Sequence, residues 1–236
     1  MLSDVWDYLP NLLRGALVTL EVTGGGIVVG LIAAFASGLM ARSPLRVVRL
    51  ISRVYVEVFR GTSALVQLFW IFFVLPLLFG WQLFPIWAGI IALGLNMGAY
   101  GSEVVRGAIR AVPRGQYEAA IALSLSPMDR MRRVILPQAW VGMIPPFGNL
   151  FIELLKGSAL VSLITVSDLT FVGQGLRQLE GNTALIYTVV LVMYFVMAYL
   201  ITLGMRFLER RAKAALGQRP VASKRPTDVL PLEAGA

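Results

Sequence analysis

The chain of 236 residues contains no cysteine and no histidine, and only 14% of its residues are charged. The two missing residue types exclude disulfides, thiolate or imidazole metal sites, and every catalytic scheme built on those side chains. The low charge content excludes an ordinary water-soluble domain, in which about a quarter of the residues are charged. We therefore expect no metal site and no catalytic residues.

Hydrophobic residues make up 57% of the chain and occur in long blocks. Such blocks predict membrane-spanning helices, because about 20 apolar residues in a helix cross a hydrocarbon core of about 30 Å. We predict an all-α membrane protein with a bundle of about five transmembrane helices. This transmembrane domain covers residues 1–216, and the proline-rich residues 217–236 are predicted to form a disordered cytoplasmic tail. The predicted spans are residues 12–41, 54–79, 86–105, 139–166 and 184–208.

The basic residues predict how the chain is oriented in the membrane. Most of the 21 lysines and arginines follow the first, third or fifth predicted span. Positive charge marks the cytoplasmic side, so the N-terminus is predicted outside and the C-terminus inside. This placement also accounts for the net charge of +8 without a nucleic-acid partner, and we expect none.

Seven charged residues fall within or at the ends of the predicted spans. A charge at mid-membrane costs about 2.5–3.5 kcal/mol, so chance placement is disfavoured. Six of the seven form acid–base pairs spaced three residues apart, which places each pair on one helical face. Each residue either lines a translocation path or braces two helices. Bracing is favoured for the first two pairs, and the two roles are balanced for the third. The residues are Glu21, unpaired in the first span, and the pairs Glu57 with Arg60, Glu103 with Arg106, and Glu153 with Lys156.

The cytoplasmic loop at residues 107–137 is predicted to contain two short helices. The first is rich in alanine, and Ser124 interrupts it before Ser126 caps the second helix. Pro137 is predicted to end that second helix. The residues alone leave two roles open: a rigid docking element for a soluble partner, or an amphipathic connector at the membrane surface.

The loop contains EAA at 118–120, Ser124 and ILP at 135–137, and the chain also contains RGALVTL at 14–20, EVFRGT at 57–62 and EVVRGAI at 103–109. In these runs it resembles permease subunits of ATP-binding-cassette (ABC) importers, in which the loop is called the EAA loop, and more narrowly the polar amino acid uptake group. These runs occur in the family's order over residues 10–212. The chain departs from the pattern at three places. The family usually has proline at the position of Ser63 and glycine at the position of Ser124, and it usually has KDTSL where this chain has KGSAL at 156–160. The run at 156–171 resembles the ectoine and hydroxyectoine branch.

The resemblance implies a membrane-spanning permease subunit, not an enzyme, that moves a small polar solute across the cytoplasmic (inner) membrane. The solute would be an amino acid or a compatible solute such as ectoine. The residues implied in coupling to the ATPase are Tyr117, Glu118, Ala119, Ala120, Ser124 and Pro137.

The resemblance also implies a set of partners. These are two cytoplasmic ATP-binding subunits, a second permease chain of the same or a related kind, an extracytoplasmic solute-binding protein, and membrane lipid. The sequence has no GxxxxGK[ST] phosphate-binding loop, so ATP and Mg²⁺ would bind to the partner ATPase and not to this chain.

Two other functions are the alternatives, an ion-coupled secondary carrier and a membrane scaffold subunit. A carrier of this kind is typically built from internal repeats with broken helices in both halves. Five predicted spans with one long cytoplasmic loop fit that architecture poorly.

Overall fold

The structure is a computed structural model that describes residues 2–80, 82–180 and 182–215, with backbone only for residues 2–7 and 180. The predicted tail at residues 217–236 lies outside the described residues. Within those ranges the regular elements are all helices. They are α1 (Leu2–Met40), α2 (Arg46–Gly61), α3 (Ala64–Phe79), α4 (Pro85–Ala111), α5 (Arg114–Ala122), α6 (Pro127–Ile164), α7 (Leu169–Glu180) and α8 (Thr183–Ala215).

Four of these helices, α1, α4, α6 and α8, are long and apolar enough to cross a membrane, and α2 with α3 makes a fifth span if the bent pair is counted as one. The predicted all-α membrane bundle is therefore confirmed. Four of the five predicted spans fall on α1, α4, α6 and α8.

The second predicted span, residues 54–79, is not one continuous helix. The chain is extended at Thr62 and Ser63, and the axes of α2 and α3 differ by 109°. Hydroxyl side chains compete with the helical backbone, and here the Thr62 hydroxyl donates to the carbonyl of Val58 at 2.7 Å. This local competition, next to Gly61, separates a helix rich in arginine from an apolar one.

Small residues bring α1 and α4 into close contact at the centre of the bundle. A Cβ atom added at Gly98 would lie 2.6 Å from the Cβ of Ala33 and 3.0 Å from the carbonyl oxygen of Gly30. One added at Gly94 would lie 2.9 Å from the carbonyl oxygen of Gly26. Glycine at these positions lets the two backbones approach, as is common between membrane helices. The α1–α4 pair then serves as the frame against which α2 and α6 pack.

The segment after α6 is anchored by a buried carboxylate. Asp168 accepts hydrogen bonds from the backbone N–H of Phe171 at 2.9 Å and from the hydroxyl of Tyr194 at 3.3 Å. The backbone N–H of Leu169 donates to the hydroxyl of Thr19 at 3.1 Å. Asp168 therefore caps α7 and ties it to α8, whereas Leu169 ties it to α1. Burial raises the pKa of the Asp168 carboxyl group.

Candidate coupling surface and translocation route

The short helix α5 is held on the bundle by one side of its surface. Ala120 is 2% exposed, and the hydroxyl of Tyr117 donates to the carbonyl of Ile109 at 3.1 Å. Glu118 and Ala119 lie between these two anchors in sequence and are exposed. The helix therefore presents an acid and a small residue outward from a fixed seat, which suits docking into a groove of another protein.

The bend after α5 depends on a serine in an unusual conformation. Ser124 has a φ of 54°, and its N–H donates to the carbonyl of Ile121 at 2.8 Å. The N–H of Leu125 donates to the carbonyl of Ala120 at 3.1 Å. This pair of bonds is the Schellman motif, in which glycine usually occupies the left-handed position. A non-glycine residue there costs about 1–2 kcal/mol.

The second helix of the loop begins as predicted but does not end as predicted. The hydroxyl of Ser126 accepts from the N–H of Asp129 at 3.1 Å, so Ser126 is its N-cap. The prediction that Pro137 ends this helix is wrong, because α6 continues to Ile164. A π-helical turn at Arg130–Ile135 precedes the proline, and the N–H of Leu136 donates to Met131, five residues back. The wider turn accommodates a proline that lacks a donor of its own.

The continuous α6 links the loop rigidly to the membrane helices. The side-chain amide of Gln138 donates to the carbonyl of Val134 at 3.0 Å and to the side chain of Gln116 at 3.1 Å. Gln116 lies on α5 and Gln138 on α6, so this bond fastens the two together. A displacement of α5 would therefore be passed to α6 along its length.

Of the predicted charge pairs, the one between Glu103 and Arg106 is present, and the one between Glu57 and Arg60 is replaced by other contacts. Glu103 pairs with Arg106 on its own helix, and Nη1 of Arg60 lies 3.9 Å from Oε1 of Glu103. The Arg60 guanidinium also lies 5.3 Å from the ring centroid of Tyr100. Among the described residues Glu57 forms an ion pair with Arg53, at 3.9 Å, rather than with Arg60. Glu103 therefore joins α2 to α4, as a helix brace would.

Two cavities differ in which of the predicted charged residues line them. One of about 660 Å³ lies between the ends of α1, α2 and α4 and is lined by Glu57, Arg60, Glu103 and Arg106. A smaller one, of about 110 Å³, lies between α4 and α6 and is lined by Glu153. Glu153 and Lys156 are both exposed and form no ion pair with each other among the described side chains. Lys156 and the exposed Glu21 line neither cavity.

A pair of amides at the α2–α3 break was missed by the sequence analysis. We call Gln67 and Asn96 the elbow clamp. The amide nitrogen of Gln67 donates to the carbonyl of Phe59 at 2.8 Å and to the hydroxyl of Thr62 at 2.7 Å. The amide nitrogen of Asn96 donates to the side-chain oxygen of Gln67 at 3.0 Å and to Phe59 at 3.2 Å.

The elbow clamp supplies donors to carbonyls that the broken helix leaves free. In hydrocarbon such carbonyls need a partner inside the protein, since no water is available. Asn96 also lines the cavity that contains Glu153. The signal in the sequence was the presence of two amides inside otherwise apolar spans, which is uncommon without a polar partner.

The chain is similar over most of its length to known membrane proteins. A family profile described as "Binding-protein-dependent transport system inner membrane component" matches residues 26–214. A probable amino-acid ABC transporter permease of Sinorhizobium fredii is 46% identical, over 92% of this chain and 94% of that protein. The glutamine transport system permease protein of Escherichia coli is 36% identical, over 89% of this chain and 97% of that protein. A crystal structure of an amino acid ABC transporter superposes with a TM-score of 0.81 at 35% identity, over 88% of this chain and 97% of that one.

Proposed function

Because the chain belongs to the family of binding-protein-dependent transport system inner membrane components, we propose that it carries an amino acid across the cytoplasmic membrane. It is the membrane-spanning permease subunit of an ABC importer, as the resemblance of its EAA loop implied. The relatives named above are amino-acid and glutamine permeases, and this favours an amino acid over an ectoine-type solute. Competition of labelled amino acid uptake by unlabelled ectoine distinguishes the two.

The coupling surface consists of the exposed side of α5, with Glu118 and Ala119 at its centre. The observation that carries this assignment is that Tyr117 and Ala120 seat the helix while Glu118 points away from the seat. A carboxylate in this position accepts charge-assisted hydrogen bonds from a partner. Ser124 and Pro137 act indirectly, by setting the bend after α5 and the course of α6.

The partners of this permease are two cytoplasmic ATP-binding subunits, which bind ATP and Mg²⁺, and an extracytoplasmic solute-binding protein. A second permease chain, of the same or a related kind, completes the translocation path. ATP binding would close the two ATPase subunits and move α5 with them. The bundle then exchanges between inward-open and outward-open states, and the free energy of nucleotide binding shifts that equilibrium.

The orientation places the N-terminus outside, α5 in the cytoplasm and the C-terminus inside. Counting α2 and α3 as one bent span gives five crossings, which agrees with the distribution of basic residues. In this orientation α7 lies on the outer side. Because the chain has no cysteine, single-cysteine variants labelled with an impermeant maleimide test the orientation without background.

The translocation route runs past the small cavity between α4 and α6. Glu153 is exposed, lines this cavity and has no ion pair among the described side chains, so its carboxylate can attract the ammonium group of an amino acid. The charged residues at the cytoplasmic end act mainly as braces between helices. Glu103 is already paired with Arg60 and Arg106, and Glu57 is paired with Arg53. Glu21 and Lys156 line neither cavity in a single chain and would need a partner subunit to enter the route.

The deciding experiment is transport by the complex in proteoliposomes. The permease is purified together with its ATPase subunits, and uptake of amino acids is measured with ATP inside the vesicles. Glu153→Gln should lower uptake while ATPase subunits still co-purify, whereas Glu118→Ala should lower both. Wild-type complex that lacks ATP-dependent uptake of every amino acid, with or without a solute-binding protein, would contradict the proposal.

A further inference from the structure

Helix α2 has three distinct faces, of which only one is buried in the bundle. Ser52 is 3% exposed and shares a hydrogen bond of 2.9 Å with Ser37 of α1. A second face is apolar and open to the surroundings; it comprises Val47, Leu50, Ile51 and Val54, each more than half exposed. The third face is basic. At 100° per residue the basic face lies next to the apolar one, so one side of α2 can contact a charged head group and the adjacent side can contact acyl chains.

The basic face of α2 lines the larger cavity. Arg46, Arg49 and Arg53 occupy it together with the brace around Glu103. Five arginines and two glutamates line the cavity, so it carries a net positive charge. Glu103 is already paired with Arg60 and Arg106, so the remaining attraction for an anion lies towards the start of α2.

The three arginines near the start of α2 differ in how many donors they have available. Arg49 donates to the carbonyls of Ser43 and Pro44 at 2.7 and 2.8 Å, and so fixes the turn that leads into α2. Arg53 makes only a long contact of 3.9 Å with Glu57, with both side chains about three-quarters exposed. Arg46 has no ion pair or hydrogen bond among the described contacts. Arg46 and Arg53 can therefore bind an incoming anion.

The bend between α2 and α3 sets the position of this face. Since α3 belongs to a membrane span and α2 leaves it at 109°, α2 cannot run parallel to that span. The start of α2 follows the end of α1 after residues 41–45, so it lies near the cytoplasmic surface in the orientation proposed above, whereas Tyr55 and Phe59 further along α2 contact the middle of α4. An anionic leaflet attracts basic groups at that depth.

We propose that the cavity at the start of α2 binds the phosphate head group of an anionic phospholipid from the cytoplasmic leaflet. Arg46 and Arg53 bind the phosphate, and the acyl chains lie along the exposed apolar face of α2. The apolar face beside the arginines favours a lipid over free phosphate, which has no apolar part to contact that face. The inference rests on the proposed orientation.

The test compares lipid retention by two double variants of the assembled importer. Arg46→Gln with Arg53→Gln removes the two available arginines, and Arg210→Gln with Arg211→Gln removes the same charge from the exposed end of α8. The complexes are titrated with phosphatidylglycerol or phosphatidylcholine, and bound lipid is counted by native mass spectrometry. Wild type should retain phosphatidylglycerol selectively. Each basic residue near an anionic surface contributes about a fivefold gain in affinity, so the α2 variant should bind about 25-fold more weakly, and the α8 variant like wild type.

Three results would overturn the proposal: equal retention of the two lipids by wild type, equal losses in the two variants, or displacement of the lipid by inorganic phosphate alone. The orientation is tested separately by labelling Ser43→Cys with an impermeant maleimide. Labelling from the outside would refute the proposed orientation, and with it the assignment to the cytoplasmic leaflet. Since ATP-driven uptake is measured independently, failure of lipid binding leaves the permease function standing.

Discussion

The two connecting segments at opposite ends of α6 are built on different principles. Each contains a short helix, α5 or α7, and each contains one non-glycine residue with positive φ, Ser124 or Thr165. On α5 the acid Glu118 is exposed, whereas at the start of α7 the acid Asp168 is fully buried.

The difference in exposure of the two acids indicates different roles for the two segments. An exposed carboxylate on an anchored helix is available to a partner, so the α5 segment can receive a force. A buried carboxylate that accepts bonds from Phe171 and Tyr194 is already occupied, so the α7 segment can only be held in place. Changes near α5 should therefore affect coupling, and changes near Asp168 should affect stability.

The largest effect is expected from Ala120→Asp in α5. Ala120 is almost completely buried, and an unpaired charge there would destabilise the seat of the helix by several kcal/mol. Uptake and co-purification of the ATPase should both be lost while the permease remains in the membrane. Ala120→Ser is the matched control, because a small hydroxyl can donate to a backbone carbonyl one turn back.

The next effect is expected from Asp168→Ala at the start of α7. The change removes an N-cap and leaves the N–H of Phe171 and the hydroxyl of Tyr194 without their acceptor, at a cost of about 2–4 kcal/mol. Thermal unfolding followed by tryptophan fluorescence should occur at a lower temperature, with the ATPase still bound. Asp168→Asn keeps one acceptor oxygen, so its unfolding temperature should fall less than that of Asp168→Ala. Loss of the ATPase with unchanged unfolding would erase the distinction between the two segments.

A smaller effect is expected from glycine at the two left-handed positions. Glycine adopts positive φ without steric cost but loses more chain entropy on folding, so Ser124→Gly should stabilise by up to about 1 kcal/mol. Thr165→Gly should raise the free energy of unfolding at least as much, because a β-branched residue is less tolerant of a φ of 65°. Both are measured by the same unfolding assay. A destabilised Ser124→Gly variant would show that the bend after α5 is not strained.

The smallest effect is expected in the dependence of stability on pH. Burial raises the pKa of Asp168 in the folded protein above its unfolded value, so the folded state holds this proton more tightly. Between the two pKa values stability therefore falls as pH rises, and it levels off above the folded value. The unfolding temperature of wild type should decline relative to that of Asp168→Asn from about pH 4 upwards. Parallel curves would contradict the assignment.

The helix content and the coupling loop could be predicted because they depend on local patterns. Long apolar blocks identify spans by length alone, and the capping role of Ser126 follows from a hydroxyl placed before Pro127. The loop helix that carries Glu118 was expected from its alanine-rich sequence.

The break between α2 and α3 and the contact of Glu103 with Arg60 could not be predicted in the same way. Both depend on which helices become neighbours: Asn96 reaches Phe59 across 37 residues, and Arg60 reaches Glu103 from another helix. Spacing along one helix suggested Arg60 as the partner of Glu57, but tertiary packing placed a different acid beside it. Pro137 failed as a helix end because a π turn absorbed the steric conflict.

The most direct test of the central claim is co-purification of the ATPase subunits with the permease from its own membranes. Wild-type permease should carry the ATPase in stoichiometric amount, Ala120→Ser should do the same, and Ala120→Asp should lose it while remaining correctly inserted. If wild type carried no ATPase, or if Ala120→Asp retained both the ATPase and normal uptake, α5 would not be the surface through which this permease is driven.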